Sequence, residues 1–168
     1  MKKLIMKRLI AAALFAACLP AASYAATLDF PSDEPVASIT IPDSWGPKET
    51  DSGIEANAGD DAIYLSIDVT DEEGSKEVID ACVEFLKKSG VTVDLATQKE
   101  SNGELNGMKA TSLDWDGKDN DGDVSISLTF LSPKPGKILV ITYWGTKGMQ
   151  EEHGPELQAM IASLKAAE

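Results

Sequence analysis

Cysteine, histidine and positive charge are scarce in this chain of 168 residues. It has two cysteines, Cys18 and Cys82, and one histidine, His153. Cys18 lies in the apolar N-terminal stretch, and once that stretch is removed Cys82 has no partner for an intramolecular disulfide. One histidine and one cysteine also exclude a zinc site built from His/Cys clusters within a single chain. Fifteen Lys and Arg face 28 Asp and Glu. That balance repels nucleic-acid phosphates and anionic lipid head groups, so neither is an expected partner. Glycine-rich phosphate loops are missing, and no serine sits in a nucleophile-elbow motif. No apolar run reaches the roughly 20 residues that a membrane-spanning helix needs.

What the N-terminus does have is an export pattern. Lys2, Lys3, Lys7 and Arg8 precede an apolar run from Leu9 to Leu19. Pro20 ends it, and Ser23-Tyr24-Ala25 places small residues where a signal peptidase reads. Residues 1–25 are therefore expected to be a signal peptide cleaved after Ala25, which puts the protein in the periplasm. Phe15-Ala16-Ala17-Cys18 resembles a lipoprotein signal, but leucine is usual where Phe15 stands. Simple export is preferred over a lipid anchor at Cys18. Loss of the four N-terminal basic residues leaves 11 against 28 acids, a net charge of about −17. Residues 26–168 have the length of one domain.

The stretch from Met108 to Thr146 reads as a three-stranded meander. Met108–Trp115 alternates loosely. Asp116-Gly117-Lys118-Asp119-Asn120-Asp121-Gly122-Asp123 is turn chemistry. Val124, Ile126, Leu128 and Phe130 alternate with Ser125, Ser127 and Thr129, giving one buried and one more polar face. Pro133-Lys134-Pro135-Gly136 is a second turn. Ile138–Trp144 is apolar on both faces, which predicts a strand near the centre of a covered sheet.

Elsewhere, Thr27–Val36 holds two prolines and three acids and is expected to be a loose arm. Val36–Ile41, Gly53–Ala58, Ala62–Val69 and Val91–Lys99 read as strands. Asn102-Gly103 and Asn106-Gly107 are both expected turns. Residues 70–89 form a helix region, capped by Thr70 with Glu73 or by Ser75. Its buried stripe is Val78, Ile79, Cys82, Phe85 and Leu86. Cys82 lies inside that stripe, so it is expected to be core rather than a nucleophile. His153-Gly154-Pro155 opens a last helix, with Leu157, Met160, Ile161 and Leu164 as its buried stripe. His153 itself is expected in a surface loop. Trp45, Trp115 and Trp144 are expected to fill the core or cap a sheet end rather than line a groove. The order strands, helix, strands, helix gives an α+β fold, a mainly antiparallel β-sheet flanked by two helices.

The candidate for metal chemistry is the acidic turn. Asp114 and Asp116 share a strand face, and Asp119, Asp121 and Asp123 follow closely. Calcium and other hard cations take six to eight such oxygens. The spacing fails as an EF-hand: aligning Gly122 on the obligatory glycine puts Gly117 and Leu128 where acidic ligands are required. A cation site of another kind competes with a solvated hairpin tip that protects a sheet edge, and the tip is preferred.

Ile39-Thr40-Ile41-Pro42 with Trp45 resembles the opening strand and turn of the PsbP/Mog1/DcrB-like proteins. Asn106-Gly107 before a strand, the tyrosine-bearing strand Ile138–Trp144, and the closing Ile161-Ala162-Ser163-Leu164-Lys165 are similar to that group too. The resemblance implies an α/β/α sandwich without shared enzymatic activity, and carries over no set of functional residues. Fold analogy alone does not settle function. The sequence reading is therefore an exported, non-catalytic accessory or binding protein that works through contacts with a protein partner in the periplasm and needs no cofactor. The alternative is a hard-cation-binding protein using the acidic turn. A hydrolase of unrecognised type has the least support.

Overall fold

The computed structural model describes residues 25–71, 73 and 75–167. The expected signal peptide, apart from Ala25, and Cys18 lie outside the described residues. Ten strands and two α-helices follow in the order β1 (Ala25–Phe30), β2 (Ala37–Pro42), β3 (Lys48–Glu49), β4 (Gly53–Asn57), β5 (Ile63–Thr70), α1 (Ser75–Lys88), β6 (Thr92–Leu105), β7 (Met108–Lys118), β8 (Asp123–Lys134), β9 (Lys137–Thr146), α2 (Gly154–Ser163) and β10 (Lys165–Ala166). They form a three-stranded sheet, β1-β2-β10, and a seven-stranded sheet, β3-β4-β5-β9-β8-β7-β6. Every pairing in both sheets is antiparallel.

Strand β9 is the fourth of seven, as its two apolar faces require. Leu139 joins the larger core, where β5, the small sheet and α2 meet, and Val140 joins the core under α1. Helix α1 thus covers one face of the large sheet, while α2 and the small sheet cover the other. Burying a large aliphatic side chain on either face stabilises by roughly 1.5–3 kcal/mol. Gly53 is forced by close approach, because a Cβ there would run into the backbone carbonyl of Ile67 on the neighbouring strand.

Several expectations are corrected. While residues 31–36 form no strand, the first part of the arm predicted over Thr27–Val36, Thr27–Phe30, belongs to strand β1, which pairs along its whole length with β2. Its period of two, with Leu28 half-buried and Phe30 buried, outweighs the prolines and acids. Asn102-Gly103 is not a turn. Asn102 pairs with Thr111 and Gly103 with Ala110 inside a continuous β6–β7 ladder. The turn falls at Asn106-Gly107, where φ is 50° and 81°. Two consecutive positive φ values are what a two-residue hairpin of matching twist demands. The acidic turn is also shorter than expected. Strand β7 runs to Lys118 and β8 starts at Asp123, leaving Asp119–Gly122 as the tip. Met160 in α2 and Leu164 just after it are buried, but Ile161 is 46% exposed. In α1, Cys82 and Leu86 are buried while Phe85 is 39% exposed.

Candidate functional site

The five aspartates of the acidic stretch are distributed rather than gathered. Asp114 and Asp116 lie on β7 on the face away from Trp115, beside Thr97, Lys99, Ser125 and Ser127. Asp116 is held by the Lys147 ammonium, Nζ to Oδ1, at 2.6 Å, which keeps its carboxyl below the usual range. Asp119 Oδ1 accepts from the backbone N–H of Asp121 and of Gly122, both at 2.9 Å. Such a local bond is what an Asp in a turn supplies. Asp123 faces the Lys118 ammonium at 3.3 Å. Among the described residues, no three His, Cys, Asp or Glu side chains gather in a way that could hold a metal ion.

His153 sits differently from the expected surface loop. Its side chain is 18% exposed and lies between two carboxylates. Nδ1 is 3.1 Å from Glu156 Oε2, and Nε2 is 3.0 Å from Asp60 Oδ1. The same Glu156 oxygen accepts from the indole Nε1 of Trp45 at 2.9 Å. The bond to Glu156 and then the one to Asp60 push the His153 pKa up. With both ring nitrogens facing carboxylates, His153 is a tie between α2 and the β4–β5 loop, not a base poised on a nucleophile. Asp60 lies 93 residues from His153 in the chain, so no local motif announces it.

Cys82 is core, as its place in the helical stripe predicts. It is 6% exposed and accepts from the Thr142 hydroxyl at 3.1 Å. Burial raises its pKa, which disfavours the reactive thiolate. Trp45 is buried, and Trp144 stacks on Tyr64 with ring centroids 4.3 Å apart. Trp115 departs from the expectation, since it also lines a groove.

That groove lies between α1 and the β6–β7 hairpin, and has a volume of about 410 Å³. Val83, Leu86, Val93, Leu95, Trp115 and Ile126 line it. The register of β6 against β7 shifts between Asp94 and Lys99, which makes a bulge. Asp94 Oδ1 accepts from the Ala96 N–H at 3.0 Å, and the Thr97 hydroxyl donates to the Asp94 carbonyl at 2.7 Å. Thr97 Oγ1 then accepts the Asp116 N–H at 2.8 Å, pinning the bulge to β7. The outcome is Leu95 at 73% exposure and Val83 at 49% on the opposite wall. Bulges re-aim side chains at sheet edges, and here one presents leucine to solvent. This face is not legible in the sequence, because register slippage has no composition signal.

A second, apolar cavity of about 280 Å³ lies on the other side of the large sheet, beneath α2. Among the described residues, no helix is long and apolar enough to cross a membrane.

No protein-family model matches the chain, and no curated protein matches it in sequence. Solved structures do. Cyanobacterial PsbP (CyanoP) from Synechocystis sp. PCC 6803 is similar with a TM-score of 0.55 at 9% identity, over 91% of this chain and 99% of that one. LpqN of Mycobacterium tuberculosis, described as involved in cell envelope biogenesis, aligns with a TM-score of 0.48 at 14% identity, over 86% of this chain and 91% of that one. The antiparallel sheet with its two helices, and the extent of the match to CyanoP, show that the chain has a PsbP-like α+β fold.

Proposed function

We propose that this is an exported, non-catalytic accessory protein that binds a protein partner in the periplasm through the groove between α1 and β6–β7. The observation that carries the reading is Leu95, 73% exposed on a bulge that three side-chain bonds hold in place. A large hydrophobe fixed in solvent beside an apolar groove is a feature of interaction surfaces. The partner it fits presents an apolar ridge flanked by Lys and Arg. Lys87 is the charged residue that lines the groove itself. The acidic surroundings are Glu84 and Asp94, exposed next to Val83 and Leu95 in sequence, and the net charge of −13 of the whole chain. Complementary charge speeds such an encounter and excludes acidic competitors. The export half of the reading rests on the N-terminal sequence pattern.

The test is co-purification from the periplasmic fraction with Val83→Asp/Leu95→Asp beside wild type. The expected result is a discrete partner recovered with wild type and lost with the variant, at an unchanged melting temperature. Recovery of the same partner with both proteins would contradict the reading, as would retention of the protein in the cytoplasm. Cation binding at Asp114, Asp116, Asp119, Asp121 and Asp123 is tested by terbium titration with Trp115 as sensitiser. Saturable emission lost in Asp119→Asn/Asp121→Asn would establish that site, and absence of emission would remove it.

A further inference from the structure

The large sheet is unevenly covered on the face opposite α1. On this face β9 presents Leu139 and Ile141, but its neighbour β8 presents Ser125, Ser127 and Thr129, all half-buried. Helix α2 packs chiefly on β2 and leaves the cavity of about 280 Å³ between itself and the sheet. Leu157 and Met160 of α2 and Leu164 just after it form its roof, with Ile67 and Ile141 below, and Ser127, Thr129 and Tyr143 mark its polar side. Ser127 and Tyr143 are shared with an adjoining cleft of about 180 Å³ that holds Lys99, Asp114 and Asp116. The apolar chamber and the charged cleft thus abut at the Ser127 and Tyr143 hydroxyls.

A packing defect would carry no such gradient. Placing hydroxyls on a middle strand beneath an apolar roof costs free energy unless they find partners. Here the partners are loose at the junction: Ser127 Oγ lies 3.4 Å from Thr129 Oγ1, whereas Thr129 is well bonded to Ser112 at 2.8 Å. Tyr143 donates to Gln150 Oε1 at 2.7 Å, and Gln150 Nε2 donates to Ser125 at 3.1 Å, which fixes Tyr143 at the junction. An apolar cavity of about 150 Å³ already takes benzene, and a water-sized atom occupies about 30 Å³ of liquid, so this chamber takes roughly nine. Apolar lining with a few placed polar groups is the composition of small-molecule sites.

We propose that this chamber and its mouth bind a small amphiphile, with a chain of about eight carbons under α2 and an amino or hydroxyl head between Ser127 and Asp114. The net charge of −13 of the whole chain weighs against an anionic head. Lys147 engages Asp116, and Lys99 stands opposite Asp114 in the β6–β7 ladder, so Asp114 meets the head beside a lysine. The inference stands apart from the protein-contact reading. Its test uses the purified chain with no partner, so either can fail alone.

The experiment titrates octylamine, octanol and octanoate into the isotope-labelled chain and follows backbone and methyl NMR shifts. Octylamine and octanol are expected to saturate, shifting Ile141, Tyr143, Met160 and Leu164 and leaving Val83 and Leu95 unmoved. Octanoate is expected to bind at least tenfold more weakly. Leu157→Trp, which fills the chamber, is expected to weaken octylamine at least tenfold. Asp114→Asn is expected to erase the preference for amine over carboxylate without touching octanol. The mapping in the wild-type chain does not depend on whether Leu157→Trp folds. Absence of saturable binding, or shifts confined to the α1 groove, would overturn the proposal. Octanoate binding as well as octylamine would overturn the assignment of the head.

Discussion

The indole of Trp45 and the carboxylate of Glu156, 111 residues apart, are joined by a 2.9 Å hydrogen bond that ties the turn after β2 to the first turn of α2. Trp45 is 2% exposed, so its N–H has little access to water when that acceptor is lost. Glu156→Ala is expected to destabilise the fold by about 1–3 kcal/mol, the cost of a buried donor left without a partner. Glu156→Gln keeps an oxygen in place and is expected to cost less. Urea unfolding followed by tryptophan fluorescence measures both.

The same carboxylate helps to set the pH response. His153 has its pKa raised, first by Glu156 and then by Asp60, relative to the ordinary value of 6.5. A raised folded pKa contributes stability that is fully present below the unfolded value and is lost as pH rises through the folded value. Glu156 and Asp60 are depressed, so their contribution is present above their unfolded values and lost as pH falls through the folded ones. The cluster therefore stabilises most in the mildly acidic window between the carboxylate and histidine ranges. Melting temperature against pH is expected to fall from that window toward alkaline pH in wild type. In His153→Ala the alkaline fall is expected to flatten.

The hairpin tip provides a contrast between two neighbouring aspartates. Asp119 accepts two backbone N–H groups, while Asp121 contributes its own N–H to that turn. Asp119→Ala is expected to cost about 1 kcal/mol, and Asp121→Ala to fall within about 0.5 kcal/mol of wild type. Chemical denaturation of the two variants checks this. Equal losses for both would contradict it.

The rim and the floor of the α1 groove are expected to differ in what they contribute to stability. Leu95→Asp is expected to leave stability within about 0.5 kcal/mol of wild type, as an exposed side chain should. Ile126→Ala, at 2% exposure in the groove floor, is expected to cost about 2–5 kcal/mol through the cavity it leaves. Thermal melts of the two variants decide the point.

Much of the fold was legible because it rests on local periodicity. The two apolar faces of Ile138–Trp144 placed that strand at the centre, and Pro155 marked the start of α2. The α1 stripe identified Cys82 as core. Asn102-Gly103 misled because a turn dipeptide was outweighed by ladder pairing with Thr111 and Ala110, which is non-local. None of the three candidate features is legible in the sequence. Leu95 is exposed by a register shift, His153 is tied to a residue 93 positions away, and the amphiphile chamber exists because α2 sits over β2 rather than β8. Each depends on how elements meet, and composition does not encode that.

The most direct test of the central claim is site-specific photo-crosslinking in living cells, with a photoreactive residue at Leu95 or at Asp29, which is exposed on β1 of the small sheet. The account predicts one strong adduct with a basic partner from Leu95 and none from Asp29. Adducts of equal strength from both positions, or none from Leu95, would contradict it.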